Sequence, residues 1–379
     1  MQAVLPRRSA ALWLLLGASL CLCNGVMADT KKAPPPKHAT ASPWDVEARE
    51  YLGTPESEAA VNRGLAYLAS RQQPDGHWSS GGYRGDVAIT GLCLMAFLAS
   101  GHQPGRGKYG LVLNEAVDFL ANSVRMDGQY GSPGLVSSKP GEGGPPMYGH
   151  GFATLALAEV YGMTHRKDLK PKIESAIKLI EDTQNKNPGN QWTDGGWRYQ
   201  PRQGEADISV TVVQVLALRG ARNAGLKVNQ STIDRAIEYM KRCNGYDGGF
   251  TYQVRSGGSG VARTGAGVLS LMMAGLRESE ECQKGLRYLK DRPLSANNDW
   301  AHLQHFYYGI YYVTQAMYQA GGDYWKAWYP PIRDRLVRNQ GSDGEWAANG
   351  YSEAGPEYAT AMSVLVLQVP AGLLPIYQK

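Results

Sequence analysis

The chain has 379 residues, and 43% of them are hydrophobic, which allows two average domains or one large repeat-built or barrel domain. Its 46 glycines and 21 prolines indicate many connections between short elements. The formal net charge is only +5, and no run of Lys and Arg is interleaved with aromatic residues, which excludes nucleic acid as a partner.

The first 28 residues have the pattern of a secretory signal peptide. Arg7 and Arg8 precede the apolar run Ala11 to Cys23, and Val26 to Ala28 offers small residues for cleavage. This apolar run is too short to span a bilayer. We therefore expect residues 1–28 to be removed and the protein to be exported to the periplasm or the extracellular space, with no transmembrane anchor.

Residues 29–47 form a Pro-rich segment without an apolar period, which predicts a flexible linker. The remaining residues, 48–379, then form the folded domain. Three cysteines are left after cleavage: Cys93, Cys243 and Cys282. An odd number at sparse spacing predicts no disulfide framework, and Cys93 has the setting of a small core residue.

A seven-residue motif, Gln-x-x-Asp-Gly-x-Trp, recurs along this domain. The complete copies are Gln72, Asp75 and Trp78; Gln191, Asp194 and Trp197; and Gln340, Asp343 and Trp346. Weaker copies lie at Val124 to Tyr130 and Asn244 to Phe250, and an eroded one at Asn297 to Trp300. The near-even spacing indicates six repeats.

The sequence around each copy repeats as well. An amphipathic helix pattern precedes each copy, as in Ile233, Ile237 and Met240, and an almost wholly apolar segment follows it. The first and last apolar segments are as apolar as the middle ones, so an open solenoid with polar caps is disfavoured. The prediction is an all-α, monomeric (α/α)6 double-barrel toroid, in which outer amphipathic helices surround inner buried helices and a central cavity.

The motif, placed between an outer and an inner helix, resembles the repeat of squalene and hopene cyclases and of their α/α-toroid relatives, the β subunits of protein prenyltransferases. The resemblance implies that the Gln contacts the start of a neighbouring outer helix and that the Trp packs nearby, so that the motif residues are structural. The catalytic signatures D-x-D-D and D-D-x-x-D are absent. Ala262, Arg263 and Thr264 stand where the prenyltransferase zinc ligands belong, and Tyr308 stands at the zinc His. We therefore predict no metal and no cofactor.

Polar residues cluster where the inner helices are expected to begin, and these helix starts should share one mouth of the toroid. The candidate catalytic residues are Asp86, His150 and Asp207. The candidate ligand-binding residues are Tyr148, Arg263, His305, Tyr307, Tyr308 and Glu357. Helix capping and the helix dipole are the alternative explanation for the three carboxylates, whereas the flanking glycines predict an accessible His150.

The spacing of Asp299, His302 and His305 makes a metal conceivable but matches no recognised signature. Tyr307, Tyr308, Tyr311, Tyr312 and Tyr318 either line the cavity or pack inner helices against outer ones. If these tyrosines fill the cavity, no ligand can bind there, and a scaffold role is the function that remains.

Three functions stay open. The first is binding, with or without turnover, of an apolar isoprenoid-type ligand in the central cavity, as the resemblance implies. The second is a non-catalytic exported binding or scaffold protein for a small apolar or ring-containing ligand. The third is the polysaccharide lyase or glycosidase chemistry that other α/α barrels host, which needs a base beside an Arg or a pair of carboxylates.

Overall fold

The computed structural model describes residues 52–127, 132–164, 166–293, 305–348 and 353–378. The predicted signal peptide, the whole predicted linker, the motif copy at 297–300, Asp299 and His302 lie outside these residues. The described part contains α-helices, short 3-10 turns and isolated β-bridges but no strand. The all-α prediction is therefore confirmed.

Six helices form the outer layer of the fold. They are α1 (Pro55–Arg71), α3 (Gly110–Asn122), α5 (Lys170–Thr183), α7 (Gln230–Arg242), α9 (Glu280–Lys290) and α11 (Gly322–Arg338). Each buries one face and exposes the other, because apolar residues recur every three or four positions. In α7, Ile233, Ile237 and Met240 are buried, whereas Gln230 and Asp234 are exposed.

Six helices alternate with these along the chain and form the inner layer. They are α2 (Val87–Ala99), α4 (Pro146–Met163), α6 (Ile208–Asn223), α8 (Val261–Met273), α10 (Phe306–Ala320) and α12 (Pro356–Gln368). Each inner helix packs against the inner helices before and after it, and α12 packs against α2. The inner layer is therefore a closed ring, as the apolar first and last segments predicted.

The glutamine of the repeat motif joins one outer helix to the next. Gln72 Nε2 donates to the Val112 carbonyl in the first turn of α3, at 2.8 Å. Gln340 Nε2 donates to the Ala60 carbonyl in α1, at 2.9 Å, and so connects the last repeat to the first. In the third repeat, Gln184 makes this contact, with the Thr232 carbonyl of α7 at 2.8 Å. Assigning Gln191 to the motif was wrong: it is exposed, because a longer turn separates the functional glutamine from Asp194.

The motif tryptophans are buried between the two layers. Each indole Nε1 donates to a carbonyl in the last turn of the preceding outer helix: Trp78 to Leu68 at 2.7 Å, Trp197 to Ile180 at 3.0 Å and Trp346 to Leu336 at 2.8 Å. A buried indole thus satisfies its own N–H and one helix-end carbonyl at the same time.

The motif glycines allow the turn to touch the backbone of the next outer helix. Gly344 has a φ of +96°, and a Cβ added there would lie 2.5 Å from the Arg63 carbonyl oxygen. In the second repeat, Gly134 has this role, with a φ of +86° and the Ser175 carbonyl beside it. The weak copy predicted at Val124 to Tyr130 is therefore out of register, because inserted residues move the motif turn to Gly134.

The C-terminal segment closes the end of the ring at which the inner helices finish. The side-chain amides of Asn223 and Gln319 donate to the Pro375 and Tyr377 carbonyls, at 3.3 and 3.1 Å. Tyr377 is buried, and the Ile376 N–H donates to Glu159 Oε2 at 3.4 Å. The mouth formed by the inner-helix N-termini is thus the place to look for a ligand site.

All three described cysteines are buried and free. No helix in the described ranges is both long enough and apolar enough to cross a membrane.

Candidate functional site at the N-terminal mouth of the ring

One position in the first turns of the inner helices anchors the motif turn. Its hydroxyl accepts a hydrogen bond from the backbone N–H at the aromatic position of the motif. The pairs are Thr90 with Trp78 at 3.1 Å, Thr211 with Trp197 at 3.1 Å, Thr264 with Phe250 at 2.9 Å and Thr360 with Trp346 at 3.0 Å. The position is therefore structural in each of these repeats.

His150 holds the same position in the second repeat. Its Nδ1 accepts from the Val136 N–H at 3.1 Å, so Nε2 carries the proton and donates to the Ala176 carbonyl of α5 at 3.2 Å. His150 is fully buried, and burial lowers its pKa to about 4. The expectation that His150 is accessible was wrong, because its flanking glycines do not open the site. They let α2 and α6 approach: a Cβ on Gly149 or Gly151 would lie 2.7 or 2.3 Å from a valine methyl of those helices.

Asp86 is the N-cap of α2. Its Oδ1 accepts from the Ala88 and Ile89 N–H groups at 2.8 and 2.9 Å. Its Oδ2 accepts from the Gly144 N–H at 2.6 Å, in the segment that leads into α4. With three backbone donors on a buried carboxylate, Asp86 links two repeats, and both of its oxygens already accept backbone hydrogen bonds.

Asp207 caps α6 and lies in a polar cluster. Its Oδ1 accepts from the Val210 N–H at 2.9 Å, and its Oδ2 accepts from Arg198 Nη1 at 3.1 Å. Arg198 also donates to Tyr252 Oη at 3.0 Å and lies over the Tyr199 ring, 4.4 Å from its centroid. Burial raises the pKa of Asp207 to about 6, although the N–H donor and the Arg198 charge oppose that shift.

Glu357 is buried in the first turn of α12. Its Oε1 accepts from Arg71 Nε at 3.2 Å, at the end of the outer helix α1. All three carboxylates that the sequence singled out therefore hold the fold together. None of them is a free carboxylate that faces the mouth.

Six equivalent positions, two residues before the anchoring position, form what we call the mouth ring. Its members are Ala88, Tyr148, Ser209, Ala262, Tyr308 and Tyr358. The three tyrosines are half-buried. The mouth ring therefore has three tyrosines and three small residues, with Tyr308 and Tyr358 on neighbouring helices and Tyr148 apart from them.

The interior below the mouth ring is filled by aromatic side chains. Tyr311 and Tyr312 are buried, at 1% and 0% exposure, and their ring centroids are 5.0 Å apart. Tyr312 also packs edge-on against Tyr308 at 4.7 Å, and Tyr311 against Phe152 of α4 at 6.5 Å. These packed and buried side chains form a tyrosine floor below the mouth ring.

Several polar atoms in this interior have no hydrogen-bond partner. They include Tyr308 Oη, Tyr312 Oη and Glu159 Oε1. Burial raises the pKa of both tyrosines and raises that of Glu159 to about 8, so all three groups are protonated at neutral pH. Tyr308 belongs to the mouth ring, but its Oη is buried like the other two groups.

Comparison with known proteins gives the same architecture. Residues 152–305 match the family model of the squalene-hopene cyclase C-terminal domain. The α-1,6-mannanase GH76A of Salegentibacter sp. HEL1_6, solved with α-1,6-mannotriose, superposes with a TM-score of 0.60 at 9% identity, over 84% of this chain and 99% of that chain. The type II terpene cyclase MstE of Scytonema, solved with geranylgeranyl dihydroxybenzoate, gives 0.55 at 12% identity, over 84% and 98%. The fold of the chain is an α/α toroid, and its central part resembles the squalene-hopene cyclase C-terminal domain.

A crystal structure of a protein from Actinoplanes also superposes on the toroid, with a TM-score of 0.51 at 14% identity, over 84% of this chain and 99% of that chain. No curated protein matches the sequence significantly. At these identities the structural neighbours establish the fold of the toroid alone.

The remaining predicted ligand residues do not all meet at the mouth of the toroid. Tyr307 is buried and faces the segment before α12, where its Oη donates to the Ala347 carbonyl at 2.8 Å. Arg263 lies at the rim and donates to the Gly258 carbonyl at 3.2 Å. His305 is exposed and begins α10 with a φ of +62°. Only Tyr148 and Tyr308 belong to the mouth ring.

Sequence reasoning missed Tyr358 and Arg198. The distance of Tyr358 from Thr360 equals that of Tyr148 from His150, and this repeat of an aromatic residue two places before the anchor was the available signal. Arg198 follows the motif Trp197 directly, but nothing in its local sequence predicts the contact with Asp207. Within the described residues, no three His, Cys, Asp or Glu side chains gather as metal ligands would.

Proposed function

We propose that this toroid is an exported, non-catalytic binding protein that holds a hydroxyl-rich ring, such as a sugar residue of a glycan, at its mouth ring. The observation that carries the proposal is the set of half-buried tyrosines, Tyr148, Tyr308 and Tyr358, above a closed floor. Tyrosine faces pack against flat sugar rings, and their hydroxyls donate to and accept from the sugar hydroxyls. The mannotriose bound by the mannanase neighbour supports a glycan as the ligand class.

The state of the predicted catalytic residues supports binding without turnover. Glycoside hydrolysis needs two carboxyl groups beside the scissile bond. Here Asp86, Asp207 and Glu357 are held by backbone N–H groups or by an arginine, and His150 is neutral inside the fold.

The second candidate is an isoprenoid-type ligand. The family match and the terpene cyclase neighbour favour it, and so does the aromatic interior formed by Phe152, Tyr311 and Tyr312. Such a ligand would have to displace these buried side chains to enter the ring, whereas a sugar at the mouth would not. For this reason we rank the glycan first.

The test is a calorimetric titration of the mature protein with manno-oligosaccharides and, separately, with geranylgeraniol in detergent. Tyr148→Ala and Tyr358→Ala should weaken oligosaccharide binding by about fivefold or more each, because packing of a ring against an aromatic face contributes roughly 1 kcal/mol or more. Tyr246→Ala is the matched control, since Tyr246 is fully exposed in the turn after α7. Release of reducing sugar during incubation, or binding of geranylgeraniol alone, would overturn the proposal.

A further inference from the structure

A second cavity lies at the opposite end of the inner helices, where α6 and α8 finish against α7. Its volume is about 1230 Å³. Three arginines and a lysine reach it: Arg219, Arg222, Arg277 and Lys241. Two acidic side chains, Asp234 and Glu238, also line it. The sequence did not single out any of these residues.

Most of the charged groups in this cavity have partners within the protein. Lys241 pairs with Glu238 at 2.8 Å. Asp234 accepts from the Gln230 side-chain amide at 2.6 Å. Arg277 Nη1 donates to the Gln319 carbonyl at 2.9 Å, which ties it to the end of α10. The positions of these charged groups are therefore explained by helix-end hydrogen bonds and ion pairs within the protein.

Arg219 and Arg222 differ from the others. Arg219 gives one hydrogen bond, from Nη1 to the Met273 carbonyl at 3.1 Å. Arg222 makes no side-chain hydrogen bond or ion pair with any described residue. Both are half-buried, and both burial and the nearby Arg222 charge lower the pKa of Arg219. Two guanidinium groups that share a cavity and form no ion pair of their own repel each other and leave most of their paired N–H donors without a protein acceptor.

The rest of the wall is apolar. Ile237 of α7 and Met272 and Met273 of α8 line the same cavity as the two arginines. Methionine side chains adapt their shape to flexible apolar ligands. The cavity therefore offers a cationic part and an apolar part side by side.

We propose that this cavity binds an amphiphilic oxyanion, a carboxylate or phosphate group joined to an apolar chain, with Arg219 and Arg222 holding the oxyanion and the methionine wall holding the chain. Guanidinium groups match planar and tetrahedral oxyanions with paired donors, which a lysine does not do. The site is separate from the mouth ring, and its ligand is of a different class from a neutral glycan.

The test is a calorimetric titration of the mature protein with decanoate, acetate and inorganic phosphate, with decanoate kept below its micelle concentration. Decanoate should bind more tightly than acetate, since its chain covers the methionine wall. Arg222→Gln should weaken decanoate binding about tenfold or more, because a charged hydrogen bond contributes at least that much in affinity. Arg338→Gln is the control, as Arg338 is an exposed arginine in the last turn of another helix.

Two further variants keep the outcome decisive. Met273→Gln should weaken decanoate but leave phosphate binding unchanged, and Tyr148→Ala should leave decanoate binding unchanged. Arg222→Gln should also keep or raise the melting temperature, because it relieves the repulsion with Arg219. Equal decanoate affinity in wild type and Arg222→Gln, or no decanoate binding by the folded wild type, would overturn the proposal. Failure of the glycan titration would leave this site unaffected.

Discussion

The side-chain amide of Gln340 donates to the carbonyl of Ala60, 280 residues earlier in the chain, at a distance of 2.9 Å. The same contact joins Gln72 to α3 and Gln184 to α7, so the ring closes with the bond that also joins its consecutive repeats. Closure of this kind removes the exposed apolar ends that an open repeat array has to cap. The ends of the folded sequence thereby become neighbours.

Replacing the motif glutamine should destabilise the toroid, and its exposed neighbour provides the control. Gln184→Ala leaves the buried Thr232 and Gly195 carbonyls without their donor, so we expect a loss of about 1–3 kcal/mol in the free energy of unfolding. Gln191→Ala should change it by less than about 0.5 kcal/mol. Urea denaturation followed by circular dichroism measures both values. A larger loss for Gln191→Ala would restore Gln191 to the motif.

The motif glycine should tolerate no side chain. Gly344→Ala combines a left-handed backbone with a Cβ placed 2.5 Å from the Arg63 carbonyl oxygen. Gly204 has a φ of +81° and no atom within 4 Å, so Gly204→Ala isolates the backbone strain. We expect about 1 kcal/mol for Gly204→Ala and roughly 3 kcal/mol or more for Gly344→Ala. Similar losses in the two variants would mean that the contact with α1 is not tight.

His150 should make the free energy of unfolding depend on pH in the acidic range. Because burial lowers its pKa from 6.5 to about 4, the unfolded chain takes up a proton before the folded chain does. The stability that neutral His150 provides is present above pH 6.5 and is lost as the pH falls towards 4, by up to about 3 kcal/mol. His150→Gln keeps a donor and an acceptor but cannot titrate. The difference in unfolding free energy between wild type and this variant should therefore vary over that range, and a constant difference would contradict the buried position.

Glu159 should give the free energy of unfolding the opposite dependence on pH. Burial raises its pKa from 4.5 to about 8, so the folded chain holds the proton more tightly than the unfolded chain. The stability linked to this proton is present in full below pH 4.5 and is lost as the pH rises to 8, by about 5 kcal/mol at most.

Glu159→Gln should accordingly be more stable than wild type at pH 8 and similar to it at pH 4.5. Glu174→Gln is the control, because Glu174 is half exposed and its ion pair with Lys170 is long, at 3.9 Å. The melting temperatures of wild type and both variants, measured at the two pH values, test this expectation. An equal effect at both pH values would show that Glu159 does not titrate within the fold. The variant comparison is needed because the wild-type profile combines Glu159 and His150, whose trends oppose each other between pH 4.5 and 6.5.

The sequence by itself determined the helical repeat, the two layers and the closure of the ring. Amphipathic and fully apolar segments alternate along the chain, and burial of apolar surface acts on every residue of such a segment, so local pattern carries the information. The structural role of the motif tryptophans and glycines could likewise be predicted, because each repeat needs a buried indole between its layers and a residue that adopts a positive φ in its turn.

Only the tertiary structure decided which polar residues serve the fold. Gln184 rather than Gln191 bonds to α7, and His150 occupies a place that threonines hold elsewhere, because a hydrogen bond depends on the position of a partner dozens of residues away. The members of the mouth ring come from different repeats, and their separation along the chain gives no sign that they meet. Arg219 and Arg222 lie one turn apart on α6, but nothing in the sequence places them beside Met272 and Met273 of α8. Apolar periodicity is a local property, whereas a site is made by side chains that converge only after the ring has closed.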